Sequence, residues 1–223
     1  MTIELHNNVY CEGEGLPVVL VHGFPVDHRM WDECAEALEA AAVEHGVKRF
    51  PIWGPDMPGA GEGPIPSDET SGGKDADGAF PNGLDHMADA YVAMLHAAGY
   101  DKAIWAGLSM GGYGAMKIAL TYPEKFGFAA SFSGALDIVA LMQDDKEQIA
   151  HEGQNLRGKK SDTEVVLETK EFIFGPHGTM KGSKNDLHFL LEQAAKQKKP
   201  LPRLYISCGS ADTLFPSAVD MRN

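Results

Sequence analysis

The sequence predicts an α/β fold in which helices cover both faces of a mostly parallel sheet. Short apolar runs, several of them rich in β-branched residues, alternate with longer segments of helical periodicity. A G-x-S-x-G pattern at residues 107–111 separates one such run from the helix after it. The 223 residues are 43% hydrophobic and 23% charged, which is an ordinary globular composition. We therefore expect a single domain over residues 1–223.

The predicted elements follow this alternation from the N-terminus. Residues 2–14 indicate only a weak strand pair or an extended arm, whereas residues 17–21 predict a strand buried on both faces. The later elements alternate in type: helix 27–45, strand 50–53, helix 84–98, strand 101–106, helix 113–122, strand 126–132, helix 185–197 and strand 201–207. Residues 138–180 are polar and irregular, and we expect them to form a lid-like insertion.

Charge, hydropathy and cysteine content exclude several classes of function. The net charge of −13 disfavours nucleic acid or an anionic membrane as a partner. No apolar run is long enough to span a membrane, and the first ten residues lack the features of a signal peptide. Cys11, Cys34 and Cys208 are widely spaced, which indicates a reducing, cytoplasmic location without disulfides. No metal, nucleotide or flavin motif is present, so we expect no cofactor.

Ser109 is the candidate nucleophile. It lies in the G-x-S-x-G pattern between a predicted strand and a predicted helix. Such a turn must be very tight, so the residues that flank the serine must be small. The turn holds the serine above the carboxyl edge of the sheet, with the N-terminus of the next helix beneath it. The pattern therefore predicts nucleophilic catalysis of acyl transfer.

The chain resembles the α/β-hydrolases at three places, which are residues 22–25 (H-G-F-P), 54–63 and 107–112. The resemblance implies an oxyanion hole formed by the backbone N–H groups of Phe24 and Met110. It also implies that Asp56 has a structural role. His22 is interpreted as a residue that fixes the shape of the oxyanion loop, not as a base. His28 and His45 are interpreted as solvated side chains.

A serine hydrolase of this fold needs a nucleophile, an acid and a histidine in that chain order. Asp212 follows the last predicted strand, where the acid is expected. All nine histidines precede Asp212, so no base is assigned. From this pattern we expect that the last strand and the last helix of the fold are missing and that the chain is truncated at its C-terminus.

The two halves of the chain resemble different branches of the fold. The first 106 residues resemble a generic lipase- or esterase-like hydrolase, while later segments are similar to the tributyrin esterases of the esterase D group. These segments are residues 107–117, 129–137, 181–187 and 205–212. The net charge of −13 falls entirely on residues 1–112, and the remainder is balanced. Two hypotheses stay open, a recombined chain with its junction at the G-x-S-x-G pattern and a single divergent family.

The resemblance implies a serine carboxylesterase that hydrolyses short-chain acyl esters. Hydrolysis of a lactone, of a C–C bond or of a peptide would need the same catalytic groups, and the lid-like insertion would decide among these substrates. A non-catalytic remnant that binds a ligand without turnover is a third alternative, favoured by the missing base. The oligomeric state stays open, and a homo-oligomer is one possibility.

Overall fold

The computed structural model describes residues 5–23, 26–64, 84–144, 167 and 177–221. Its strands are β1 (His6–Cys11), β2 (Val18–Val21), β3 (Ile52–Asp56), β4 (Ala103–Leu108), β5 (Phe126–Phe132) and β6 (Arg203–Ser207). They form one sheet in the order β1-β3-β2-β4-β5-β6. Only β1 runs antiparallel to its neighbour, and the four other pairings are parallel. The mostly parallel sheet predicted from the sequence is confirmed.

The helices of the described ranges lie between these strands or after them. They are α1 (Asp32–Glu44), α2 (Leu84–Ala97), α3 (Met110–Thr121), α4 (Leu187–Lys196) and α5 (Phe215–Asp220). Residues 138–144 are also helical. No helix in the described part of the chain combines the length and the hydropathy that a bilayer crossing requires.

Several predicted boundaries differ from the observed ones by two or more residues, and two of these differences have a cause in the structure. The helix predicted from residue 27 is preceded by a 3₁₀ turn over His28–Trp31, and the Asp27 carboxylate caps the start of that turn by accepting a hydrogen bond from the Arg29 N–H. The α-helix itself begins at Asp32. The strand predicted to stop at Trp53 continues to Asp56. All five residues of β3 are buried between β1 and β2, and this burial overrides the turn signal of Gly54 and Pro55.

The larger part of the core lies between the sheet and the helices α2 and α3. Trp105 of β4 is fully buried at its centre. Its ring makes edge-to-face contacts with Tyr91 at 5.0 Å and with Phe126 at 5.3 Å between ring centroids. Met142 and Met180 also belong to this core. Residues 145–166 and 168–176, which make up most of the predicted lid-like insertion, lie outside the described residues.

On the opposite face of the sheet, the described residues cover mainly the side of β2 and β3. Trp31 and Ala35 pack there against β2 and β3 in a second hydrophobic cluster. Toward β6 the same face carries Phe128, Phe132 and Tyr205, whose exposed fractions are 42%, 37% and 59%. We call these three residues the open sheet face.

The strand order reverses between β2 and β4. The connection after β2 leads through α1 to β3 on one side, whereas the connection after β4 leads through α3 to β5 on the other. In open α/β sheets, ligands bind outside the carboxyl ends of the strands at such a reversal, because the two connections diverge and leave a crevice. This topology places the loop after β2 and the turn after β4 side by side.

Candidate active site

Ser109 occupies the turn between β4 and α3. Its backbone has φ 54° and ψ −120°, and its side chain is exposed. A positive φ strains a residue that carries a Cβ, at a cost of about 1–3 kcal/mol, and such strain is concentrated at functional sites. The Ser109 N–H donates a hydrogen bond to the Phe132 carbonyl at 2.9 Å, which fixes the turn to the end of β5.

Glycines allow the main chain to close this turn. A Cβ at Gly107 would lie 2.1 Å from the Gly111 carbonyl oxygen. A Cβ at Gly111 would lie 2.2 Å from the Val21 carbonyl oxygen, at the end of β2. Both separations are far below van der Waals contact, so neither position accepts a side chain without movement of the backbone. Steric exclusion of a side chain therefore explains why glycines occupy both positions of the G-x-S-x-G pattern.

Of the two backbone N–H groups of the candidate oxyanion hole, the structure describes that of Met110. Met110 is the first residue of α3, where backbone N–H groups have no partner within the helix. Phe24 lies outside the described residues. Its neighbour Gly23 approaches the turn closely, because a Cβ there would lie 3.3 Å from the Leu108 carbonyl oxygen and 3.8 Å from the Met110 nitrogen. The roles of the Phe24 and Met110 amides stay predictions.

His22 is buried at the base of the loop after β2, with an exposed fraction of 1%. Its Nε2 accepts a hydrogen bond from the Met57 N–H at 3.0 Å. The proton of the neutral ring must then lie on Nδ1, which donates to the Gly23 carbonyl at 2.9 Å. Both ring nitrogens are used, so His22 ties the loop after β2 to the loop after β3 and is not positioned as a base.

His28 is not solvated as the sequence suggested. Its Nδ1 lies 2.7 Å from Oδ2 of Asp56, and its backbone N–H donates to Oδ1 at 2.7 Å. Asp56 is fully buried and also accepts from the Glu62 N–H at 2.9 Å. Burial alone would raise the pKa of Asp56, but the hydrogen bonds from Glu62 and His28 outweigh it and hold the pKa below its usual value. Local sequence could not reveal this contact, because the two residues lie on different elements.

Ligand atoms of Asp27, His28 and Asp56 come within 4.8 Å of one another. Two of these groups have ionic or hydrogen-bonding partners of their own, since the Asp27 carboxylate pairs with the Arg29 guanidinium and Asp56 binds His28 and the Glu62 N–H. These hydrogen bonds and this ion pair thus explain why the three side chains lie close together.

Asp212 lies in the loop after β6, at the carboxyl edge of the sheet that also carries Ser109. Its Oδ1 accepts a hydrogen bond from the Leu214 N–H at 2.9 Å. The Leu214 N–H, together with side-chain hydrogen bonds from Ser133 and Cys208, holds the pKa of Asp212 below its usual value. Two strand spacings, about 10 Å, separate the ends of β4 and β6.

No histidine among the described residues hydrogen-bonds to the Ser109 hydroxyl or to the Asp212 carboxylate. His45 follows α1, His96 lies in the last turn of α2, and His188 lies in α4. The side chains of His86, His151 and His177 fall outside the description. The base stays unassigned.

A buried polar contact links two segments that carry the tributyrin esterase resemblance. Lys117 of α3 is only 2% exposed, and its Nζ donates to Oδ1 of Asn185 at 2.5 Å. The Tyr113 hydroxyl, one helical turn earlier, donates to the Asn185 carbonyl at 2.7 Å. The sequence analysis missed this contact, although a lysine on the apolar face of a helix is a signal for a buried partner.

Comparison with known proteins shows the family. The sequence model of the alpha/beta hydrolase fold matches residues 17–162, and the chain belongs to this family. Among curated relatives, an acetyl esterase from Caldicellulosiruptor saccharolyticus is 28% identical over 123 residues, which are 55% of this chain and 42% of that protein. The chain thus spans less than half the length of that relative.

Solved structures of hydrolases share the fold. An S-formylglutathione hydrolase from Staphylococcus aureus has a TM-score of 0.63 at 22% identity, over 98% of this chain and 78% of that chain. The fluorophosphonate-binding serine hydrolase F of the same organism, solved with substrate bound, has a TM-score of 0.60 at 26% identity, over 94% and 70%. The family match extends across residue 107, so the segments on both sides of the hypothetical junction belong to one fold family, as both hypotheses of origin require.

Proposed function

We propose that this chain belongs to a serine carboxylesterase that hydrolyses short-chain acyl esters through an acyl-enzyme on Ser109. The observation that carries the proposal is the strained turn of Ser109, which exposes a hydroxyl at the carboxyl edge of the sheet beside the loop after β2. The acetyl esterase among its relatives supports a short acyl group. The serine hydrolase that is 26% identical supports the choice of a serine as nucleophile.

In the proposed reaction the Ser109 hydroxyl oxygen attacks the acyl carbon of the ester. The N–H groups of Met110 and Phe24 stabilise the oxyanion, and the N-terminus of α3 adds its positive end. The base takes the serine proton and passes it to the departing alcohol. Water then attacks the acyl-enzyme, which releases the carboxylic acid and restores Ser109. Asp212 is the acid that orients the base, a histidine that is not assigned.

The proposal extends to partner and location. The partner is a small ester, in line with the tributyrin esterases that the second half of the chain resembles. A cytoplasmic location is supported by the free thiols of Cys11, Cys34 and Cys208. Lactone, C–C and peptide hydrolysis use the same serine and acid, and a non-catalytic remnant would use neither.

Replacement of Ser109 tests the proposal directly. Because no histidine is assigned as the base, we expect the 223-residue chain to hydrolyse activated esters slowly, with p-nitrophenyl acetate and butyrate faster than the octanoate. Ser109→Ala should reduce these rates to background, because the nucleophile is lost. A fluorophosphonate probe should form its adduct on the Ser109 peptide, as located by mass spectrometry. Ser210→Ala, which changes an exposed serine in the loop before Asp212, is the matched control. Equal rates for wild type and Ser109→Ala would contradict the proposal.

A further inference from the structure

Ser217 carries a buried hydroxyl in α5, the helix that follows Asp212. The residue is only 7% exposed. Most buried hydroxyls in proteins have a hydrogen-bond partner, because they have lost their contacts with water. The Ser217 hydroxyl donates to the Leu214 carbonyl at 2.8 Å, and the Gly134 carbonyl oxygen lies 3.5 Å from the same hydroxyl oxygen. The sequence analysis assigned no role to this serine.

Leu214 connects Ser217 to the Asp212 carboxylate. The Leu214 N–H donates to Oδ1 of Asp212 at 2.9 Å, and the Phe215 N–H donates to the Asp212 carbonyl at 3.0 Å. Asp212 therefore forms a tight turn that its own side chain stabilises. The carbonyl of Leu214 is held in turn by the Ser217 hydroxyl. A change at Ser217 thus reaches the carboxylate through a single residue.

The Gly134 carbonyl, which lies beside the same hydroxyl, belongs to the loop after β5. The Ser133 N–H of this loop donates to the Ser207 carbonyl at 2.7 Å, at the end of β6. The last residue of β5, Phe132, accepts a hydrogen bond from the Ser109 N–H at 2.9 Å through its carbonyl. The end of β5 therefore contacts both the turn of the nucleophile and the strand that leads to the acid. The hydroxyl of α5 lies where this loop meets the turn of Asp212.

We propose that Ser217 is a positioning residue that holds the turn of Asp212, through Leu214, against the loop after β5. A carboxylate that is fixed in this way presents a constant orientation to an imidazole, and that is the task of the acid in a serine hydrolase. The Leu214 N–H is also the main reason why the pKa of Asp212 lies below its usual value, so this contact favours the ionised form. Asp212 is the catalytic acid of the proposed function, and the role of Ser217 in catalysis rests on that function.

The test is the titration of Asp212, followed by NMR through the Leu214 amide proton, which is bonded to its carboxylate. The disappearance of this titration in Asp212→Asn assigns the midpoint. We expect Ser217→Ala to shift the midpoint upward, toward that of an ordinary aspartate, because a less firmly held Leu214 N–H stabilises the ionised carboxylate less. Ser210→Ala, at an exposed serine of the preceding loop, is the control and should leave the midpoint unchanged.

Ser217→Thr and Ser217→Val form a matched pair, because both side chains are branched at Cβ and differ in the hydroxyl. We expect the threonine variant to keep the wild-type midpoint and the valine variant to shift it upward. Equal shifts in the pair would overturn the proposal. An unchanged midpoint in Ser217→Ala would overturn it equally, even with a lower free energy of unfolding, because a purely structural role gives that result.

The alanine variant decides alone if the two larger side chains prevent folding. The titration needs no turnover, so its outcome is independent of the Ser109→Ala rates that test the proposed function.

Discussion

The Asp56 carboxylate shows how single residues hold the loops around the site. It is fully buried, and its hydrogen bonds with His28 and the Glu62 N–H join the loop after β2 to the loop after β3. Gly61 packs directly against it, since a Cβ there would lie 2.3 Å from Oδ2 of Asp56. The buried charge is tolerated here because two hydrogen bonds with His28 and one from the Glu62 N–H compensate for the loss of water.

We expect Asp56→Asn to destabilise the protein by about 2 kcal/mol at neutral pH, because charge-assisted hydrogen bonds become neutral ones. The pKa of Asp56 is lower in the folded state than its ordinary value of 3.8. Its contribution to stability is therefore present above that ordinary value and is lost as the pH falls through the folded value. Urea unfolding from neutral pH down to about pH 3 should show the difference between wild type and variant shrink with acidity. Asp220→Asn, at an exposed site, is the control, and a constant difference would contradict the prediction.

The residues of the site differ in how well the sequence could predict them. The turn at Ser109 depends on neighbours in the chain, so a local pattern is enough to find it. The position of Asp212 depends on strand order, which the alternation of elements predicts. The contacts of His28 with Asp56 and of Lys117 with Asn185 join residues far apart in sequence. Only the tertiary packing creates them, and no local pattern contains that information.

Helix α3 is the element that carries the site, and its glycines have different surroundings. A Cβ at Gly111 would lie 2.2 Å from the Val21 carbonyl oxygen, whereas at Gly114 nothing lies within 4 Å. We expect Gly111→Ala to push the helix away from β2 and to lower both stability and esterase activity. Gly114→Ala should raise stability by up to about 1 kcal/mol, because alanine loses less backbone entropy in a helix. Thermal unfolding of the two variants checks this contrast, and equal effects would contradict the steric argument.

The contact between α3 and the residues before α4 also has a measurable strength. Lys117 donates to the Asn185 side chain at 2.5 Å, and this ammonium is buried. We expect Asn185→Ala to cost about 1.5–3 kcal/mol, the usual range for a hydrogen bond to a charged group. In the Lys117→Met background, Asn185→Ala should cost less than in the wild type. The lysine charge, which loses a hydrogen-bond partner when Asn185 is replaced, is then absent. A double-mutant cycle in urea measures the coupling, and additive effects would contradict it.

At the level of elements, the sequence predicted type and order correctly from β2 to β6, missed the short helix α5 after β6, and located boundaries less well. The helices predicted over residues 84–98 and 185–197 appear as Leu84–Ala97 and Leu187–Lys196, because periodicity and a capping Asp186 define them locally. Strand β3 was underestimated, since its last three residues contain a glycine and a proline. Antiparallel pairing with β1, in which His6, Asn7 and Asn8 lie opposite these three residues, keeps this segment extended, and that pairing cannot be derived from the segment itself.

At the scale of the whole molecule, the described part of the chain leaves an edge strand of the sheet unpaired on its outer side. Strand β6 is last in the strand order, so its outer backbone groups have no neighbouring strand among the described residues. Beside it lies the open sheet face, where the Phe132 and Tyr205 rings are 5.9 Å apart and the Arg203 guanidinium lies 5.5 Å above Phe128. An unprotected edge next to exposed aromatic rings favours pairing with another copy of the chain.

We therefore expect the 223-residue chain to associate with itself as its concentration rises. Two copies of β6 can pair antiparallel about a two-fold axis, which places the open sheet faces of both copies side by side. Tyr205→Lys should weaken this association, because it removes the most exposed ring of the face and puts a charge at the edge. Val43→Lys, which changes an exposed apolar residue of α1, is the matched control and should leave the association unchanged. Sedimentation velocity over a concentration series distinguishes these outcomes. A monomer at every concentration, or an equal effect of both lysine variants, would show that the open sheet face does not drive association.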